Sequence, residues 1–255
     1  MSNQPLHIIP LPVTEDVTAG DDIGKLIMQA ASANGVSMQN HDVVVITQKI
    51  ISKSEGRMIN LSTVKPSNHA FELASKTKKD PRFIELVLIE SKSIVRYSEN
   101  VIITETKHGF ICANAGIDQS NVSGPGNDFV LLLPVDPDLS ARRIKQAIAE
   151  TIGMNIAVVI SDTFGRPFRL GQTNVAIGVS GINSIKSYIG KADMYGNILR
   201  ITEIAVVDEL ASAAELVMGK TERVPIAVIR GLEFSSTVSN TAKTLVRDSV
   251  QDLFR

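Results

Sequence analysis

The stretch from Asn155 to Gly181, NIAVVISDTFGRPFRLGQTNVAIGVSG, constrains this chain more than any other. It opens on Ile156-Ala157-Val158-Val159-Ile160, a short, largely β-branched run that reads as a buried strand. Polar chemistry begins at once with Ser161-Asp162-Thr163, then Gly165, Arg166, Arg169 and Gly171-Gln172, before a second apolar run from Val175 to Val179. A carboxylate and a hydroxyl at a strand end, followed by guanidiniums around a glycine turn, suit a hard cation and a polyphosphate. The same residues also suit a plain turn, since Asp and Thr cap helices and Gly makes corners.

With 255 residues, 44% of them apolar, the chain can bury a sizeable core as one large domain or two small ones. A net charge of -1 gives no broad basic field for nucleic acid, and 4% aromatics without Trp give no base-stacking platform. Cys112 is the one cysteine, which excludes an internal disulfide and a multi-cysteine zinc site. In the run Phe110-Ile111-Cys112-Ala113 it reads as a small core residue. The N-terminal segment lacks a signal peptide's basic start and long apolar run, and no apolar stretch approaches the ~20 residues that span a bilayer. The expectation is a cytoplasmic globular protein with no membrane partner.

Strand runs are expected at Leu6 to Ile9, Val43 to Ile46, Val101 to Ile103, Gly109 to Ala113, Phe129 to Leu133 and Ile226 to Ile229. His108 falls in the turn before Gly109. Helical spacing follows Asp22, covers much of Pro66 to Glu90 with a start at Asp80-Pro81, opens again at Asp138, and runs from Glu203 to Met218 with Asp208, Glu209 and Glu215 on its wet face. A last amphipathic helix is expected from Thr241 to Phe254. Ser123 to Asn127 reads as loop.

Four polar clusters carry the chemistry, most at the ends of apolar runs: Gln48 to Lys53, Asp118 to Asn121, Asp162 to Arg169, and Lys220 to Arg223. Lys49 and Lys53 are four apart and share a face if helical; they read either as cations beside a strand end or as solvated surface lysines. Asp118 is a candidate second carboxylate beside Asp162. Gly219-Lys220-Thr221 is not a P-loop: Ala214 stands where the first glycine belongs, and the segment closes a helix. No GxGxxG, HExxH or GxSxG is present. Strand ends converging in one cleft would set two carboxylates beside several cations, the makings of a metal-bridged polyphosphate site.

In order along the chain, HDVVVITQKIISKSEGR, CANAGIDQSNV, VVISDTFGRPFRLGQTNVAIGVSG and VPIAVIRG resemble the coenzyme F420-0:L-glutamate ligase family. The resemblance covers nearly the whole chain. It implies an α+β fold of mixed sheets with flanking helices, one ligase region over residues 1–255 with two lobes, no fused nitroreductase domain, and an intertwined homodimer. It implies GTP-dependent addition of L-glutamate to F420-0 through an acyl phosphate, then a second γ-linked glutamate. Two divalent ions, Mg2+ or Mn2+, and a K+ ion go with that activity.

By the same resemblance Asp118 and Asp162 bind one divalent ion and Thr163 the second. Gln48, Lys49, Lys53 and Asn121 contact GTP, with Lys53 paired to phosphate as a catalytic point charge beside Asp118 and Asp162. Leu11, Pro12, Val13 and Thr14 form one nucleotide segment. Met218, Gly219, Lys220, Thr221, Glu222, Arg223 and Val224 form another. Here the chain departs from the pattern: Lys220 stands where relatives carry an acidic or amide metal ligand. Either Glu222 takes over the second metal or Lys220 partly replaces it by charge. No guanine-reading NKxD motif is present, so the base comes from the resemblance alone. A metal-dependent nucleotide or phosphate-ester hydrolase, and a non-catalytic deazaflavin- or nucleotide-binding module, are the competing classes.

Overall fold

The computed structural model describes residues 4–120, 122, 128–236 and 241–253. In chain order it contains β1 (His7–Leu11), α1 (Ile23–Ala33), β2 (Val43–Thr47), α2 (Gln48–Ser54), β3 (Met58–Asn60), α3 (Asn68–Thr77), α4 (Pro81–Ile89), β4 (Ser91–Ser98), β5 (Val101–Thr106), β6 (Ile111–Ala113) and β7 (Phe129–Leu131). There follow α5 (Pro137–Ile152), β8 (Ala157–Arg166), β9 (Arg169–Ser180), β10 (Lys186–Ser187), β11 (Glu203–Ile204), α6 (Val206–Met218) and β12 (Ile226–Arg230). This is a mixed α+β architecture.

The principal sheet has the order β1-β12-β2-β8-β9. Only β2 and β8 are parallel; the other neighbours are antiparallel. Val43 to Ile46 and Ala157 to Ile160 are wholly buried, as continuous β-branched runs in the middle of a covered sheet should be. α1, α5 and α6 contribute Ile27, Ile144, Ile148, Leu210 and Ala214 to the core on this sheet. A second hydrophobic cluster gathers Leu73, Phe83, Ile84, Val87, Ile102 and Val130 from α3, α4, β5 and β7. Small sheets β4-β5-β6, β3-β7 and β10-β11 complete the fold.

Local signals act as their chemistry dictates. The Asp22 carboxylate accepts from Lys25 N at 3.0 Å to cap α1. Asp80 caps α4, whose first residue is Pro81. His108 lies in the β5–β6 turn with Nε2 2.9 Å from the Pro134 carbonyl. Cys112 is buried, and loss of hydration pushes its thiol up to about 12, so it behaves as a core residue. Among the described residues no helix is long and apolar enough to cross a membrane.

Several expectations change. Asp136, not Asp138, caps α5; Asp138 is buried and accepts from Val179 N and Ala242 N. The helix expected from Glu203 starts at Val206, because Glu203–Ile204 pairs with β10. Within Thr241 to Leu253 there is only a short 3-10 turn, Ala242–Leu245. Leu253 is exposed there, so the apolar spacing lacks the packed surface that stabilises a short helix. The glycine turn read after Ser161 is strand instead. β8 runs through Asp162 and Gly165 to Arg166, and the hairpin turns at Pro167-Phe168. Ladder pairing to β9 prevails over the local turn preference. Ser123 to Asn127 lie outside the described residues.

Candidate active site

The sheet topology collects the separated polar segments at one edge. The parallel pairing of β2 with β8 ends where Thr47 lies opposite Ser161. β2 passes there into α2 at Gln48, while β8 continues through Asp162. β12 starts at the same edge, with Ile226 opposite Ile46, and β1 ends there, with Leu11 opposite Ile226. Residues 11–14, 48–53, 162–163 and 218–225 therefore meet. The carboxyl ends of parallel strands are the usual side for ligands in such sheets.

Backbone hydrogen bonds tie these segments. Val13 N donates to Arg223 O at 3.0 Å and Thr47 N to Pro225 O at 2.9 Å. Arg223, itself at φ +54°, donates from Nη1 to the Thr14 carbonyl at 2.9 Å. Leu11, Val13 and Met218 are buried in the core, so those positions offer a ligand main-chain atoms rather than side chains. Pro12 and Thr14 are exposed, as are Lys220, Thr221 and Glu222; Val224 is half-buried.

Asp118 reaches the edge on a wedged turn. Asn114, Ala115 and Gly116 are successive left-handed residues, at φ 54°, 56° and 71°. Left-handed Asn is tolerable; a left-handed alanine, here buried, costs about 1 kcal/mol or more and needs its surroundings to hold it. A Cβ on Gly116 would sit 2.7 Å from Leu133 Cδ1. Asp118 then exchanges two backbone hydrogen bonds with Leu131, at 2.9 and 2.8 Å. Its Oδ2 lies 2.7 Å from Lys49 Nζ, and its Oδ1 accepts from Ser120 N and Oγ at 2.7 and 2.8 Å. Burial alone would raise the Asp118 carboxyl, but Lys49 and the Ser120 donors outweigh it and hold the group below the usual carboxylate range.

Asp162 has the opposite balance. Burial pushes its carboxyl up to about 7, and the Asp118 charge adds to this against the Thr163 N–H, Lys49 and Lys220. Two carboxylates and two ammoniums thus share one electrostatic field. Asp118 and Asp162 are hard oxygen donors, and an added cation would favour the charged form of Asp162. Among the described residues no group of three or more His, Cys, Asp or Glu could hold a metal ion. A magnesium-like ion that keeps water and substrate phosphate as its remaining ligands fits two carboxylates; an all-protein cage does not.

Thr163 faces a different set of groups. Its Oγ1 donates to Asn174 Oδ1 at 2.7 Å, across the β8–β9 ladder. Asn174 Nδ2 donates to Glu215 Oε2 at 2.8 Å. Lys220 Nζ lies 2.7 Å from Thr163 Oγ1, 2.9 Å from Glu215 Oε1 and 3.4 Å from Asn174 Oδ1. The Glu222 carboxylate curls onto its own loop, accepting from Thr221 N at 2.9 Å and Thr221 Oγ1 at 2.7 Å; these bonds hold it below the usual range.

Gln48 is fully buried; its Oε1 accepts from Ser52 Oγ at 2.8 Å, and its Nε2 has no acceptor among the described residues. Lys53 lies in the last turn of α2, half-buried and one turn beyond Lys49. Asn121 lies outside the described residues. Asn174 was not singled out from sequence, and Glu215 was read only as wet face of α6 with Asp208 and Glu209. Instead Glu215 meets Asn174 and Lys220, and Asp208 is part-buried and accepts from Ala176 N at 2.8 Å, because β9 packs on that side of the helix. The available signals were a polar residue interrupting the strand-like run after Gln172, and a glutamate one turn before the end of α6. Neither says what it faces.

Residues 13–231 match the model of the family described as F420-0:Gamma-glutamyl ligase. Three similar curated proteins all carry the name Coenzyme F420:L-glutamate ligase. That of Methanothermobacter thermautotrophicus is 46% identical over 94% of each chain. That of Methanopyrus kandleri is 43% identical over 98% of each. That of Methanocaldococcus jannaschii is 43% identical over 86% of each.

Proposed function

The chain belongs to the F420-0:gamma-glutamyl ligase family, and from that premise we propose that it joins L-glutamate to coenzyme F420-0 at the expense of GTP. The observation that carries this reading is the pair Asp118 and Asp162 at the carboxyl edge of β2 and β8, faced by Lys49 and Lys220. A carboxylate is a poor acyl donor until it carries a good leaving group. The terminal carboxylate oxygen of F420-0 attacks the γ-phosphorus, and the bond to GDP breaks. The glutamate nitrogen then attacks the acyl carbon, loses a proton, and inorganic phosphate leaves. A second glutamate joins the γ-carboxyl of the first by the same two steps.

Both reactants of the first step are anions, so positioned positive charge is the main requirement. On this reading Lys49 and Lys53, one helical turn apart on α2, neutralise phosphate. Gln48 Nε2, which has no acceptor among the described residues, is a spare donor beside them. A magnesium or manganese ion held by Asp118 and Asp162 would supply further charge neutralisation of the phosphates. The main-chain groups of residues 11–14 and 218–224 line the nucleotide.

The homodimer belongs to the same reading. Phe168 and Leu170 at the β8–β9 hairpin tip are 90% and 98% exposed. Met194, Tyr195 and Ile201, between β10 and β11, are exposed to a similar degree. Large apolar side chains presented on projecting segments are expected to be covered by a partner, here a second copy.

The test is mass spectrometry of F420-0, L-glutamate and GTP incubated with the protein and Mg2+ or Mn2+. Products heavier by one or two glutamyl units, absent without GTP and with Asp162→Asn, are expected. Phosphate release that needs no glutamate, with no heavier product, would instead identify a hydrolase.

A further inference from the structure

Thr163, Asn174 and Glu215 direct oxygen atoms at one point, and a cation already occupies it: Lys220 Nζ lies 2.7, 3.4 and 2.9 Å from their oxygens. The cluster is assembled from two strands, a helix and a loop. Thr163 and Asn174 are register partners on β8 and β9. Glu215 comes from the last turn of α6, and Lys220 from the loop just after it. Glu215 is further fixed by the Asn174 amide at 2.8 Å. Asp162, one residue before Thr163, feels the Lys220 charge.

We propose that Lys220 is a built-in cation that takes the place of a second metal ion, held at the phosphate edge by Thr163, Asn174 and Glu215, so that this chain works with one divalent ion. The proposal rests on the reading of this edge as a nucleotide-phosphate site. An ammonium donates three hydrogen bonds and accepts none. With its donors directed at this oxygen set, it excludes a metal from the same point by charge and by volume. Glu222, the other candidate for a second ion, is engaged with Thr221. Glu215 and Asn174 are then positioning residues: they hold the ammonium rather than touch substrate.

The lysine also differs from a metal in kind. It cannot dissociate, so the charge is present whatever the metal concentration. It is a point charge on a flexible stem, able to follow a phosphoryl group as it moves from nucleotide to acyl phosphate. A divalent ion in its place would bring fixed geometry and bound water instead.

The test counts metal, not turnover. The full-length protein is equilibrated with Mn2+ alone, and with Mn2+ plus saturating GMPPNP or AMPPNP; bound manganese and nucleotide are measured after dialysis. The wild type is expected to hold one Mn2+ per chain, lost in Asp162→Asn. Lys220→Glu and Lys220→Ala, which expose or extend the oxygen set, are expected to hold two. Thr163→Val is expected to leave the wild-type count at one. Two Mn2+ in the wild type, or loss of one in Thr163→Val, overturns the proposal. If neither analogue binds, the phosphate-site reading fails, while the change from one to two with Mn2+ alone still decides the role of Lys220. Lys220 is on an exposed loop, and circular dichroism of each variant verifies that the fold is retained.

Discussion

Lys49 Nζ lies 2.7 Å from Asp118 Oδ2, with Ser120 Oγ 2.8 Å from the same ammonium and donating to the other carboxylate oxygen. The lysine thus occupies the carboxylate that a divalent ion would use. On the proposed reading a divalent ion at Asp118 would compete with Lys49, and the released ammonium would be free to meet the nucleotide phosphates.

Replacing Lys49 with Met removes a competitor for Asp118. Calorimetry of the nucleotide-free protein should then show Mn2+ binding about 3–10-fold more tightly, the size of a partly exposed ion pair at ~1 kcal/mol. Affinity for GMPPNP should fall by a similar or larger factor. Unchanged Mn2+ affinity would show that the ion pair does not compete with metal.

Asp162 yields a pH prediction. Its folded-state value of about 7 exceeds the ordinary 3.8, so the native state binds this proton more tightly than the unfolded chain does. Protonation therefore stabilises the metal-free fold, and that stability is lost as pH rises from about 4 through 7. Asp162→Asn has no proton to lose. In EDTA, urea unfolding should show the Asn variant gaining on the wild type between pH 5 and pH 8. The gain should be on the order of 1–2 kcal/mol, less than the full shift because the side chain keeps some water. A gap constant with pH would rule the assignment out.

The hairpin tip tests the dimer. Phe168→Ser with Leu170→Ser alters two side chains that add little to the monomer's own core. Light scattering of the eluted protein should report about half the wild-type mass, with circular dichroism unchanged. A wild type that already elutes as a monomer would end the proposal.

Gly178 tests the packing of α5 on β9. A Cβ there would overlap the Pro137 carbonyl group at the helix start. The close approach also lets Asp138 accept from Val179 N at 2.8 Å. Gly178→Ala should destabilise the protein by about 1–3 kcal/mol in denaturant unfolding. Gly178 lies opposite Ile160 in the ladder, two residues short of Asp162, but it adds no side chain to that edge and the overlap falls on α5, so Mn2+ stoichiometry should not change.

The central strands were legible because β2 and β8 are runs of β-branched apolar residues, and burial on both faces leaves little other use for such runs. Caps at Asp22 and Asp80 were legible because capping is a contact between near neighbours. The β8–β9 hairpin was not. Asp162, Gly165 and Arg166 carry local turn signals, and only pairing with β9 overrides them. The C-terminal segment failed in the opposite direction: its spacing was amphipathic, but only Ala242, Leu245 and Val246 meet the core, while Val250 and Leu253 stay exposed.

The site divides in the same way. The sequence by itself determined which residue types stand just beyond each apolar run: Gln48, Lys49 and Lys53, Asp118, Asp162 and Thr163, Lys220 and Glu222. It also marked Lys220 as an unusual choice. Only the tertiary structure decided what each one faces. It brings Lys49 onto Asp118, curls Glu222 back on Thr221, and recruits Asn174 and Glu215 to hold Lys220. The physical reason is range. Periodicity and capping act over a few residues, whereas an ion pair or a shared cation is set by strand order and helix placement, which bring distant residues within 3 Å.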